Sequence, residues 1–215
     1  MKINKLGHCC LIIETNGKRI MTDPGGDTFV DPNLKNSAKN ISVVLITHEH
    51  QDHLHIDSLK KVLENNPQAI VITNNAVGKL LTEAGIEFTK IEDGQKYDLD
   101  GVNIAGFGSK HAEIYGSYGQ VQNTGYMVDS LCYPGDGFAN PNAKVDILAL
   151  PIAGPWMKIK DAVDYAKIIQ PRIAFPVHDS YIHSWASFIW NGPENFLKEA
   201  GIKFKKLEIG KEEDL

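Results

Sequence analysis

A chain of 215 residues with 42% hydrophobic and 23% charged residues has the composition of an ordinary soluble globular protein and is ample for a real core, read here as one domain spanning residues 1–215. A net charge of -5 with no Lys/Arg cluster argues against a nucleic-acid-binding face, so a small-molecule substrate is expected. No apolar run reaches the length of a membrane span, and Met1 to Leu6 lacks the basic-then-apolar pattern of a signal peptide, so a cytoplasmic protein is expected.

Met1 to Leu6, Cys9 to Glu14 and Lys18 to Thr22 read as three short strands, with Asn16-Gly17 as a hairpin turn between the second and third. Cys9 and Cys10 are neighbours in an apolar stretch and, with Cys132, make an odd number, which fits small core residues better than disulfides. His8 falls between the first two strands, either as a turn histidine bonded to backbone or as a group lining a metal site. Asp23 opens the turn Asp23-Pro24-Gly25-Gly26, where it either braces the turn or orients a ligand imidazole. Residues 24 to 40 carry no periodicity and read as a long loop bordering the substrate entrance.

The apolar run Ile41 to Ile46 reads as a buried strand, and it ends in Thr47-His48-Glu49-His50-Gln51-Asp52-His53. Imidazoles and a carboxylate packed this densely are the donor set a divalent cation needs, and strand ends are where α/β proteins place their chemistry. In extended backbone His48 and His50 share a face and can grip one ion; a tight turn at Asp52 and His53 would aim both at a second.

Leu54 to Asn65 and Ala76 to Ala84 carry helical periodicity, the first with His55 at its start as a capping or surface residue, and Ala69 to Thr73 and Ile86 to Ile91 read as strands. Tyr97 to Leu99 and Val102 to Phe107 form a hairpin through Asp100-Gly101, after which His111 is a candidate third ligand for the first ion. Residues 112 to 122, with Tyr115 and Tyr118, form an aromatic loop that either lines a pocket or packs on the surface. Thr124 to Asp129 and Leu131 to Tyr133 are strands, and Asp136 in Pro134-Gly135-Asp136-Gly137 is either the natural bridging carboxylate or a turn-forming Asp.

Val145 to Leu150 is a further buried strand and Lys160 to Gln170 an amphipathic helix; Ile173 to Val177 then delivers His178, which either anchors a loop or, as its strand-end placement favours, can complete the second ion's ligands. Tyr181 and His183 follow as substrate contacts, proton donors or packing residues, the last favoured. Phe188 to Ala200 reads as a helix, Ile202 to Ile209 as a strand and Gly210 to Leu215 as a frayed tail. Trp156, Trp185 and Trp190 fit a homo-oligomer interface or a core equally.

The order His48-x-His50-x-Asp52-His53, His111, Asp136, His178 resembles that of the metallo-β-lactamase superfamily over essentially the whole chain. Leu6-Gly7-His8, Thr22-Asp23-Pro24 and Leu150-Pro151-Ile152 to Pro176-Val177-His178 are most similar to its lactonase-like branch, which includes ascorbate-6-phosphate lactonase. The resemblance implies a four-layered αβ/βα sandwich of two mixed sheets flanked by helices, with metals at one edge. It implies two divalent cations, one held by His48, His50 and His111 and the other by Asp52, His53 and His178, with Asp136 bridging. Zinc is the default, and manganese or iron suits the same donors. The function expected is hydrolysis of an ester-type bond, a lactone or other cyclic ester first, by a hydroxide shared between the metals, with Asp52 orienting it or taking its proton. A phosphodiesterase or phosphorylated-metabolite hydrolase is the alternative, and a non-catalytic metal-binding module a third.

Overall fold

Short apolar runs punctuated by Asn-Gly, Asp-Gly and Pro-Gly pairs favour sheet, and the longer amphipathic segments between them favour covering helices. A computed structural model of the chain, describing residues 1–183 and 185–215, arranges these as two seven-stranded sheets. In the first half of the chain lie β1 (Lys2–Gly7), β2 (Cys10–Thr15), β3 (Lys18–Thr22), α1 (Pro32–Asn36), β4 (Val43–Ile46), α2 (Ile56–Asn65), β5 (Ile70–Thr73), α3 (Asn75–Glu83) and β6 (Thr89–Lys90). After these come β7 (Lys96–Leu99), β8 (Val102–Phe107), β9 (Gly125–Val128), β10 (Leu131–Tyr133), β11 (Ile147–Pro151), α4 (Ile159–Ile169), β12 (Ile173–Val177), α5 (Ser187–Glu199), β13 (Lys203–Phe204) and β14 (Glu212–Asp214).

The first sheet runs β14-β1-β2-β3-β4-β5-β6 and the second β13-β12-β11-β10-β9-β8-β7. Each joins an antiparallel part to a parallel part: β3, β4, β5 and β6 pair in parallel in one, and β10, β11, β12 and β13 in the other. Leu11, Val43, Leu45, Tyr126 and Phe175 belong to the core between the sheets. Leu59, Val62, Val77 and Leu81 bury the inner faces of α2 and α3 on the first sheet, and Ala162, Ala166, Trp190 and Leu197 do the same for α4 and α5 on the second. The layers are therefore αβ/βα, as expected. The Asn16-Gly17 and Asp100-Gly101 turns have positive φ at both residues (46° and 73°; 49° and 91°), the geometry that matches hairpin twist. Among the described residues no helix is long and apolar enough to cross a membrane.

Several expectations need correction. The loop expected over residues 24–40 contains α1, started by Asp31, whose carboxylate accepts from the Asn33 and Leu34 N–H groups at 2.8 and 3.2 Å, with Pro32 in the first turn. This helix buries Lys35 completely, its Nζ donating to the Gly25 carbonyl, Asp27 Oδ1 and Ser58 Oγ at 2.6, 2.9 and 2.8 Å. The strand expected over Ile86 to Ile91 shortens to β6 because Ile86 and Phe88 pack into the helix layer instead. The strand expected over Ile202 to Ile209 likewise shortens to β13, since Ile202 closes α5 through its N–H to the Leu197 carbonyl. The tail is no frayed end: β14 pairs antiparallel with β1, Glu213 opposite Ile3.

The Asp23-Pro24-Gly25-Gly26 turn lies directly on the His50–His53 loop, the Gly26 N–H donating to the Gln51 carbonyl at 2.9 Å. A Cβ on Gly25 would lie 2.1 Å from the Asp52 carbonyl oxygen, a backbone atom that cannot swing aside. Gly25→Ala is expected to destabilise the protein by roughly 1–3 kcal/mol in denaturant unfolding; a variant as stable as the parent would contradict that close approach.

Candidate metal centre

Parallel neighbours on both sides of β4 demand an all-apolar strand, and its polar continuation emerges where the parallel strands end. The His53 and Leu54 N–H groups both donate to the His50 carbonyl, at 2.9 and 2.8 Å, curling the loop so that the His48 ring meets His50 at 4.8 Å and His53 at 4.0 Å between centroids. Four further strand ends converge on it. β1 brings His8, β3 brings Asp23, β10 brings Asp136 through Pro134-Gly135, and β12 brings His178. His111 arrives from the loop after β8. Gly135 is required there: at φ 63°, a Cβ would lie 2.4 Å from Asn123 Oδ1 and 2.8 Å from Thr47 Cβ. His8, Asp23 and His178 also hold positive φ (39°, 36° and 56°), so non-glycine residues in a strained conformation gather at this edge.

Asp136 sits at the centre and is buried. Its Oδ2 faces Nε2 of His178, His111 and His48 at 2.9, 3.3 and 3.8 Å, and its Oδ1 faces Nε2 of His53 at 3.2 Å. Asp52 Oδ2 faces Nε2 of His8, His178 and His53 at 3.2, 3.3 and 3.8 Å. Donor atoms of His48, His50, His111 and Asp136 all lie within 4.8 Å of one another, as do those of His8, Asp52, His53 and His178. Asp136 thus reaches both groups. Nε2 of His48, His53, His111 and His178 and Oδ1 of Asp136 are buried without a hydrogen-bond partner among the described residues. Orphaned imidazole nitrogens around a carboxylate are costly in an apolar setting and fit a divalent cation.

The nitrogens on the far side of three rings are satisfied. His53 Nδ1 pairs with Asp23 Oδ2 at 2.7 Å, His111 Nδ1 with the Ala112 carbonyl at 2.6 Å, and His48 Nδ1 with Thr47 Oγ1 at 3.0 Å. Burial lowers the pKa of His48 and His50, helped by neighbouring imidazoles. Burial alone would lower His53 and His178 too, but Asp136 outweighs it, holding His53 well above its ordinary value and His178 up at about 9. Burial pushes His8 down to about 4. Asp136 and Asp52, despite burial, are held below the usual carboxylate range by the facing imidazoles, His53 and His178 for the first and His178 and His8 for the second.

The structure therefore brings together His48, His50, Asp52, His53, His111, Asp136 and His178, with His8 and Asp23 beside them. Tyr181 reaches the site through its hydroxyl, 3.3 Å from Asp52 Oδ2. His183 does not: it is exposed and stacks on Trp185 at 5.5 Å. His55 caps α2, its Nδ1 accepting from the Ser58 N–H at 3.3 Å. Residues that sequence reasoning passed over include Tyr133, whose hydroxyl donates to Asp23 Oδ2, and Asn123, whose side chain accepts from the Asp136 N–H at 3.1 Å and donates to the Pro134 carbonyl at 3.0 Å. Trp156 packs edge-on against His111 and His178, with centroids 5.8 and 5.5 Å apart. The only sequence signal for Tyr133 was a hydroxyl inside a buried strand.

A sandwich of this layering with a His/Asp cluster at one edge defines a metallo-β-lactamase-fold protein. Residues 2–178 match the family model described as the beta-lactamase superfamily domain. The chain is 33% identical over 198 residues to Rv0786c of Mycobacterium tuberculosis, covering 89% of this chain and 90% of that protein. It is 27% identical to the UPF0173 metal-dependent hydrolase PF1764 of Pyrococcus furiosus, covering 100% and 99%. Among solved structures, Igni18, a metallo hydrolase from Ignicoccus hospitalis, superposes with a TM-score of 0.78 at 22% identity, over 98% of this chain and 96% of that one. The chain belongs to the metallo-β-lactamase-fold hydrolase superfamily.

Cation uptake requires unprotonated Nε2 atoms, whereas His53 and His178 carry raised pKa values in the metal-free protein. At pH 7 cation binding is therefore expected to release protons, and affinity to rise as pH is raised through about 9, where His178 loses its proton, and further for as long as His53 keeps its own. Calorimetric titration in buffers of different ionisation enthalpy reads this directly; a binding heat independent of buffer would refute it.

Proposed function

We propose that the protein is a metal-dependent hydrolase that cleaves an ester-type bond in a small, uncharged molecule, a lactone or other cyclic ester first among them. The observation that carries the reading is the convergence of His48, His50, His111 and Asp136 beside Asp52, His53 and His178, with four buried Nε2 atoms left without hydrogen-bond partners among the described residues. The name of the Pyrococcus furiosus relative, a metal-dependent hydrolase, supports it.

His48, His50 and His111 would hold one divalent cation and Asp52, His53 and His178 a second, with Asp136 shared; zinc suits the donor set, and manganese or iron is compatible with it. When bound, such cations acidify a water and stabilise the negative charge that develops on the substrate. The chain's own residues supply the rest. Asp52 holds or receives the nucleophile's proton at Oδ2, the oxygen that also accepts from the Tyr181 hydroxyl. That hydroxyl is kept protonated by partial burial and by Asp52, so it can donate to the substrate.

The pocket in front of the cluster, about 360 Å³, includes Ile114, Tyr118, Pro155, Trp156 and Tyr181 in its wall. Among the described lining residues none is Lys or Arg, so no side-chain cation stands ready to pair with a phosphate. A phosphate could pair here only with the bound cations, and the pocket wall to that extent favours an uncharged ester.

On a panel of lactones and phosphodiesters, turnover is expected for lactones, abolished by a chelator and restored by zinc. Asp52→Asn is expected to lower kcat for the lactone by about 10²–10⁴-fold. Turnover of phosphodiesters alone would replace the substrate class, and an unimpaired Asp52→Asn variant would remove Asp52 from the chemistry.

A further inference from the structure

Imidazoles at this site are wired in opposite senses. In His53, His111 and His48 the Nδ1 atom meets an acceptor: Asp23 Oδ2, the Ala112 carbonyl, and Thr47 Oγ1, whose own proton is donated to Asp23 Oδ2 at 2.7 Å. A neutral ring that keeps its one proton on Nδ1 in this way presents a bare Nε2 to the centre, as a cation ligand must, and in His53 that state is reached when the second proton is displaced. His8 meets the reverse arrangement. Its Nδ1 faces the Ser180 backbone N–H at 3.4 Å, a group that can only donate, so the ring proton resides on Nε2. That Nε2–H lies 3.2 Å from Asp52 Oδ2.

We propose that His8, although its Nε2 lies among the donor atoms of the second group, is a positioning residue rather than a cation ligand: Ser180 fixes its Nε2–H tautomer, and Nε2–H holds Asp52 Oδ2 in place. The surroundings of His8 are built for that orientation. It is buried, its carbonyl accepts the His178 N–H at 3.3 Å, and its ring packs on those of His178 at 4.1 Å and Tyr181 at 5.4 Å. Its left-handed backbone, at φ 39°, turns the side chain off the end of β1. The segment from His178 to Tyr181 therefore clasps His8 on several sides and, through it, sets the carboxylate. The functional part of this assignment rests on the hydrolase reading; the tautomer does not.

The test is imidazole ¹⁵N NMR on the protein, metal-free and loaded with ¹¹³Cd²⁺, alongside lactone turnover by His8→Gln and His8→Leu. His8 is expected to show a bare Nδ1, a protonated Nε2 and no splitting by ¹¹³Cd, whereas His53 and His111 split. His8→Leu is expected to lose about 10–100-fold in cation affinity or kcat, and His8→Gln, which retains an N–H donor, to recover most of it. A split His8 Nε2 or a protonated Nδ1 overturns the proposal, as do two variants impaired alike. A wild-type protein without turnover whose His8 still carries its proton on Nε2 would remove the hydrolase and leave the positioning of Asp52 standing. If His8→Leu does not fold, the wild-type spectrum decides.

Discussion

Asp23 is the constraint on which the rest depends. It is wholly buried at the end of β3, yet its carboxylate is saturated: Oδ1 accepts the Thr47 N–H at 2.8 Å, and Oδ2 accepts Thr47 Oγ1 at 2.7 Å, the Tyr133 hydroxyl, and His53 Nδ1 at 2.7 Å. A buried carboxylate without such donors would be prohibitive; with them it becomes a rigid hub. Its partners come from both sheets, Thr47 at the end of β4 and Tyr133 in β10. One side chain thus ties the two sheets together at this edge and orients His53, beside the further cross-sheet bonds of the Tyr126 hydroxyl to the Ile46 carbonyl and the Tyr133 hydroxyl to the Cys9 carbonyl.

Around that hub the chain accepts local costs for function. His48, His53, His111, Asp136 and His178 are almost fully buried, and their inward atoms have no partner among the described residues. Such a group destabilises a fold that has nothing to place between its members, and a bound cation reverses the sign because it binds the folded state alone. The same edge collects the positive φ angles of His8, Asp23 and His178. Strain, buried charge and orphaned nitrogens therefore coincide where the proposed chemistry needs rigid aim.

Much of this was legible in the chain. His48 to His53, Asp136 and His178 each follow an apolar run short enough to be a buried strand, and ends of parallel strands converge on one edge, whereas His111, after the antiparallel β8, took its place from the order shared with the metallo-β-lactamase superfamily. What stayed hidden depends on residues far apart in sequence. Asp31-Pro32 is a cap followed by a first-turn proline, but five residues of helix carry no readable period. β14 is polar and gains its identity only from β1, more than two hundred residues earlier, with Glu213 opposite Ile3. Lys35 looks like a surface lysine until the Gly25 carbonyl and Ser58 hydroxyl are seen to enclose it. Tyr133 and Asn123 serve the site through hydrogen bonds across the sandwich, and His8 and Asp23 each carried two readings that only their partners separate.

The central claim, that this edge is a two-cation site, is tested most directly by elemental analysis of the purified chain after zinc reconstitution and removal of excess metal. The account predicts two zinc ions per chain. A ratio that stays at one or below under saturating zinc would contradict it, and with it the assignment of Asp136 as the carboxylate shared between two ions.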